Sequence, residues 1–119
     1  MPSSQSRKHR GYESQRIVSR WFASNGWPYA EPVGAGRSGS DITGMLGLDV
    51  EVKARRGLDL PALLRQLGER ADRGILGFGV LRLDGQGPAA IEEWPVVLRL
   101  DDFTALLRAA GYGTLETDV

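Results

Sequence analysis

Three side chains in the first half of the chain have types and spacing that suit chemistry. Asp41 follows the Gly/Ser turn "GRSGS", Glu51 comes ten positions later, and Lys53 lies two positions beyond Glu51, among valines. Residues two apart on a strand project from the same face, so Glu51 and Lys53 belong together if "LDVEVKAR" is extended. A hairpin between Asp41 and that strand brings the first acid close to the second. Two converging carboxylates form a cage for Mg²⁺, which takes oxygen ligands and keeps several of its waters. The backbone carbonyl of Val52 is a further candidate ligand. An ion held there lowers the pKa of a bound water and offsets charge building on a phosphodiester. An ammonium group beside it, Lys53, can hold the attacking water or stabilise the pentacovalent phosphate. The competing explanation is an edge strand whose outer face is charged to block aggregation.

The rest of the composition leaves room for little other chemistry. There are no cysteines and one histidine, His9. Disulfides, zinc-thiolate sites and thiol catalysis are excluded, and a Ser-His-Asp triad is disfavoured. The absence of cysteine fits a reducing cytoplasm. The 119 residues suit one domain with one core. No window approaches the ~18 apolar residues of a membrane span, and the polar, basic start "MPSSQSRKHR" does not read as a secretory signal. Net charge is zero but unevenly spread: residues 1–56 carry nine Lys/Arg against five Asp/Glu, and residues 57–119 six against ten. A basic half facing a polyanion is one reading of that asymmetry, and scatter over a solvated surface is the other.

The elements that must position these residues follow from periodicity and punctuation. Residues 1–10 read as a flexible basic arm, 11–111 as a single domain and 112–119 as a tail. A first helix from Gly11 carries Ile17, Val18, Trp21 and Phe22 and stops at Gly26. "WPYAEPV" reads as a short edge strand. Asp41–Thr43 begins a second strand, "GMLG" turns a hairpin, and Leu48–Arg56 is the third strand, with Val50 and Val52 on one face and Asp49, Glu51, Lys53 and Arg55 on the other. Asp59 caps a second helix with a leucine stripe at Leu60, Leu63, Leu64 and Leu67. "ILGFGVLRL" reads as a buried strand and "AIEEWPVVLRL" as another, bent near Pro95. Asp101 caps a last helix bearing Phe103, Leu106 and Leu107. The expectation is an α/β domain in the order α-β-β-β-α-β-β-α, a mixed central sheet flanked by helices.

This arrangement resembles the PD-(D/E)xK nuclease superfamily, and within it the Holliday junction resolvases of archaea and phages. The resemblance spans residues 11 to 107: "GYESQRIVSRWFASNGW" as first helix, "GRSGSDITG" as the turn with the metal-binding aspartate, "LDVEVKAR" as the motif strand and "LLRQLGERAD" as the following helix. It implies a restriction-endonuclease-like core in which Asp41 and Glu51 bind Mg²⁺, with Mn²⁺ able to substitute. It further implies that Glu13 assists at the metal and that Lys53 is catalytic, with Gln66 supporting the site from the next helix. Where the family has a proline before the aspartate, this chain has Ser40. The implied activity is metal-dependent cleavage of four-way DNA junctions by a homodimer, leaving 5′-phosphates. Restriction- or repair-type cutting of duplex or flap DNA, and a non-catalytic DNA-binding protein of the same fold, are the alternatives.

DNA contacts are expected from Arg37 in the Gly/Ser loop with the hydroxyls of Ser38 and Ser40, from Arg55 and Arg56 beside the motif strand, and from Arg7, Lys8 and Arg10 in the arm. Trp21, Phe22 and Trp27 read as core rather than as base-stacking platforms. The apolar "EEWPVVLRL" segment and the last helix are candidates for a subunit interface.

Overall fold

The computed structural model describes residues 4–34, 39–54, 58–71 and 74–114, with backbone alone for 4–10 and Ala71. Helix α1 spans Ser4–Ser24, β1 Glu31–Pro32, β2 Ile42–Thr43, β3 Leu48–Lys53, α2 Leu60–Ala71, β4 Leu76–Leu81, β5 Val96–Val97 and α3 Leu100–Ala109. A 3₁₀ helix over Pro88–Glu93 lies between β4 and β5. The result is a mixed α/β fold, a mixed sheet flanked by helices. Strand β3 pairs in parallel with β4, and β4 pairs antiparallel with β5. Parallel neighbours need a crossover, and α2 supplies it.

The two faces of β3 and β4 differ in chemistry, and that difference makes the site. Val50 and Val52, with Phe78 and Val80, face α1 and join Val18, Ile42, Met45 and Trp94 in the main core. Phe22 meets Trp27 and Phe78 edge-on, at centroid distances of 5.4 and 5.9 Å. The opposite face of β4 is Gly77, Gly79 and Leu81, and helix α2 packs there. A Cβ on Gly79 would stand 2.9 Å from Leu63 Cδ2, and one on Gly77 3.1 Å from Leu67 Cδ2. The two glycines thus let α2 sit close on the strand. Leu63 and Leu67 are almost wholly buried there, each contributing roughly 1.5–3 kcal/mol. In register with Gly77, Gly79 and Leu81 lie Asp49, Glu51 and Lys53 on β3. The acid–acid–lysine row therefore lies on the α2 side.

Several local expectations change. Helix α1 begins at Ser4 rather than Gly11, so the stretch read as an arm is helical backbone from there. Its end agrees with Gly26 as the stop: Gly26 has φ +119, and Trp27 N–H bonds back to Phe22 C=O at 3.0 Å. Strand β2 does not form a ladder with β3; it pairs with β1. The "AIEE" stretch is helical because Pro88 starts a turn and Ile91 and Trp94, three apart, face inward together. Trp94 is 5% exposed and donates its indole N–H to Gly87 C=O at 3.3 Å. Asp59 caps α2 as expected, its Oδ1 accepting from Ala62 N–H at 3.0 Å. Asp101 does not cap α3. The helix opens at Leu100 without a side-chain cap, and Asp101 instead pairs with Arg99 at 2.9 Å.

Candidate active site

Strand β3 is an outer strand of its three-stranded sheet, and its free edge explains how Asp41 is placed. The Ser40–Asp41 segment runs along that edge without forming a regular ladder. Asp41 N–H donates to Val50 C=O at 2.8 Å. Val50 N–H donates to the Ser40 hydroxyl at 2.9 Å, and that hydroxyl donates to Ile42 C=O at 2.8 Å. Val52 N–H donates to Asp41 Oδ2 at 2.8 Å. Two side chains thus do what a neighbouring strand's carbonyls would do, and they satisfy donors that burial would otherwise make costly. The first acid is locked onto the backbone of the strand that carries the second acid and the lysine.

Glu51 is 3% exposed, and its Oε2 is 3.9 Å from Lys53 Nζ. Its Oε1 is 3.2 Å from Arg70 Nη1, and the same nitrogen is 2.7 Å from Asp49 Oδ2. Asp49 is itself 5% exposed, and among the described residues its Oδ1 has no hydrogen-bond partner. Burial pushes the Glu51 carboxyl above its ordinary range. The Asp41 charge adds to the push, while Arg70 and Lys53 oppose it. Asp49 is raised chiefly by burial too, with Asp41 adding and Arg70 opposing. Raised carboxyls next to like charge are a common mark of sites that do work.

As metal ligands, Asp41, Glu51 and the Val52 carbonyl form a small donor set. Among the described residues no group of three His, Cys, Asp or Glu side chains is gathered to hold an ion. Mg²⁺ needs only one or two protein carboxylates, because it keeps most of its waters. A strand residue's N–H and C=O point to the same edge, so the Val52 carbonyl faces the edge where Asp41 lies. The donor types fit Mg²⁺ or Mn²⁺. Arg70 and Lys53 already face Glu51 and would have to share it.

The other expected residues fall less neatly. Glu13 does not join the acids in the described contacts; it is half exposed and paired with Arg82 at 3.6 Å. Arg82 leaves β4 on the α1 side, stacks over Trp94 at 5.2 Å from the ring centroid, and also donates to Ser14 Oγ at 3.2 Å. Gln66 is half-buried on α2, one turn before Arg70. Arg70, not Gln66, is the α2 residue on the acids. The Ser40 hydroxyl is engaged with β3 and Ile42. Arg37, Ser38, Arg55 and Arg56 lie outside the described residues, as do the side chains of Arg7, Lys8 and Arg10.

Asp49 and Arg70 were missed as site members, yet both left a signal. Asp49 shares the Glu51 face by strict alternation. Arg70 falls on the Leu63–Leu67 stripe at helical spacing, and a cation in line with a buried stripe points to a buried acid. Compared with protein-family models, curated proteins and solved structures, the chain gives no significant match to any.

Proposed function

We propose that this protein is a metal-dependent, structure-selective endodeoxyribonuclease with a restriction-endonuclease-like core, a Holliday junction resolvase that cuts four-way DNA junctions symmetrically as a homodimer. The observation that carries this reading is the 2.8 Å bond from Val52 N–H to Asp41, which ties one carboxylate to the strand bearing Glu51 and Lys53. Asp41, Glu51 and the Val52 carbonyl hold Mg²⁺, or Mn²⁺ in its place. When bound, the ion supplies an acidified water and offsets charge on the phosphate. Lys53, a quarter exposed at its side chain, reaches solvent where a DNA strand would approach. Its ammonium orients the attacking water and stabilises the added negative charge at phosphorus. Water oxygen bonds to phosphorus and gives up a proton to solvent, the bond to the 3′ oxygen breaks, that oxygen takes up a proton from solvent, and the products are a 5′-phosphate and a 3′-hydroxyl. Glu13, held by Arg82, is left outside this core set.

The test is cleavage of a panel of four-way junctions, flaps, nicked and intact duplexes by the wild type and by Asp41→Asn and Lys53→Ala. Paired symmetric cuts in junctions are expected. Each variant should bind junctions but cut at least about a hundredfold more slowly, a loss of roughly 2.7 kcal/mol in transition-state stabilisation. Cutting of duplex or flaps in preference to junctions would replace the substrate assignment. Binding with no cutting by the wild type would overturn the enzymatic one.

A further inference from the structure

The α2-facing row of β3 holds more charge than the proposed chemistry uses. Asp49 and Glu51 are both almost fully buried, and one nitrogen of Arg70 stands between them at 2.7 and 3.2 Å. Lys53 faces the other Glu51 oxygen at 3.9 Å. Counting Asp41, Asp49 and Glu51 against Lys53 and Arg70, three acids against two cations, the cluster carries a net −1. Removing Arg70 makes it −2. Helix α2 sits close on β4 through Leu63 and Leu67 over Gly79 and Gly77, and that close packing sets where the Arg70 side chain leaves the helix. Its guanidinium can still pivot about the shorter bond, the one to Asp49.

We propose that Arg70, anchored on Asp49, is the resident cation of this site: it holds Glu51 when no divalent ion is bound and yields Glu51 when one binds. The inference rests on the metal-site reading above. Both residues are positioning residues. Asp49 acts on Arg70, and Arg70 acts on Glu51. The physical reason is that two buried carboxylates side by side repel and are poorly solvated, so the ion-free site needs a cation within contact distance. A planar guanidinium can serve two acids at once, which an ammonium on a short reach does poorly. Arg70 then competes with Mg²⁺ for Glu51 and weakens ion binding, while keeping the ion-free pocket in working shape. Asp49 retains Arg70 after the exchange, so the cation is stored beside the site.

The test uses the full chain without DNA. Thermal unfolding is followed in EDTA, and MgCl₂ or MnCl₂ alone is titrated calorimetrically, for the wild type, Arg70→Met and Arg70→Gln. Arg70→Met is expected to lower the unfolding temperature in EDTA and to bind Mg²⁺ on the order of tenfold more tightly, through the lost competition and the added negative charge. Arg70→Gln keeps a hydrogen-bond donor near Asp49 without the charge. It should bind the ion more tightly too, and it carries the test if Arg70→Met does not fold. Wild-type ion binding with unchanged affinity in the variants overturns the inference alone. No ion binding by any of the three proteins overturns the metal-site reading itself, and the inference with it.

Discussion

At the scale of single residues, the site depends on polar side chains used as backbone partners. Ser40 directly precedes Asp41, and its hydroxyl accepts from Val50 N–H and donates to Ile42 C=O. Ser40→Ala leaves Val50 N–H without that partner on a buried strand. A loss of about 1–3 kcal/mol is expected in urea unfolding, together with slower cleavage as Asp41 loses its fixed neighbour. Glu51 gives a prediction with a sign. Its carboxyl is raised above 4.5 and that of Asp49 above 3.8, chiefly by burial. A raised carboxyl retains its proton in the folded state where the unfolded chain has released it. Its contribution to stability is full below the unfolded value and is lost as pH rises through the folded one. In EDTA, Glu51→Gln should therefore unfold at a higher temperature than wild type at about pH 8, and the gap should close as pH falls to about 4. An equal gap across that range would contradict the burial account. The same substitution should abolish cutting, a case of site chemistry that costs stability.

At the scale of elements, two glycines set the distance between α2 and the sheet, and hence the reach of Arg70. Gly79→Val places branched carbons where Leu63 Cδ2 already lies 2.9 Å from a single added Cβ. Overpacking of this kind costs about 1–3 kcal/mol, measurable by chemical denaturation. The shift of α2 should also weaken the Arg70 pairs. The order and type of most elements were legible in the sequence because the signals were local: the leucine stripe of α2, the Asp59 cap, the alternation of β3, the Gly26 stop. What was not legible depended on partners distant in the chain. Nothing near "GSDIT" shows that β2 would pair with β1, or that Ser40 and Asp41 would line the β3 edge with their side chains. The "AIEE" stretch reads as a strand until Trp94 is known to turn inward. Glu13 sits where an early-helix acid was expected, but Arg82, 69 positions further along the chain, draws it to the other side of the sheet.

At the scale of the whole molecule, α3 stands out because none of its residues is buried. Leu100, Phe103, Leu106 and Leu107 remain exposed along it, with Val96 before it and Tyr112 after it. Contiguous exposed apolar side chains of this kind mark contact surfaces, and the proposed symmetric cutting of a junction would need two active sites related by a twofold axis. Light scattering with size-exclusion chromatography should show a dimer for the wild type and a monomer for Phe103→Asp/Leu106→Asp. Such a monomer should lose paired junction cuts while keeping the wild-type Mg²⁺ affinity, because α3 supplies no ligand. The claim on which the rest depends is that Asp41, Glu51 and the Val52 carbonyl share one divalent ion. Anomalous diffraction from crystals grown with Mn²⁺ measures this directly. The account predicts a peak at about 2.1 Å from an Asp41 oxygen, a Glu51 oxygen and the Val52 carbonyl. A peak elsewhere on the chain, or none at millimolar Mn²⁺ with Glu51 still on Arg70, would contradict it.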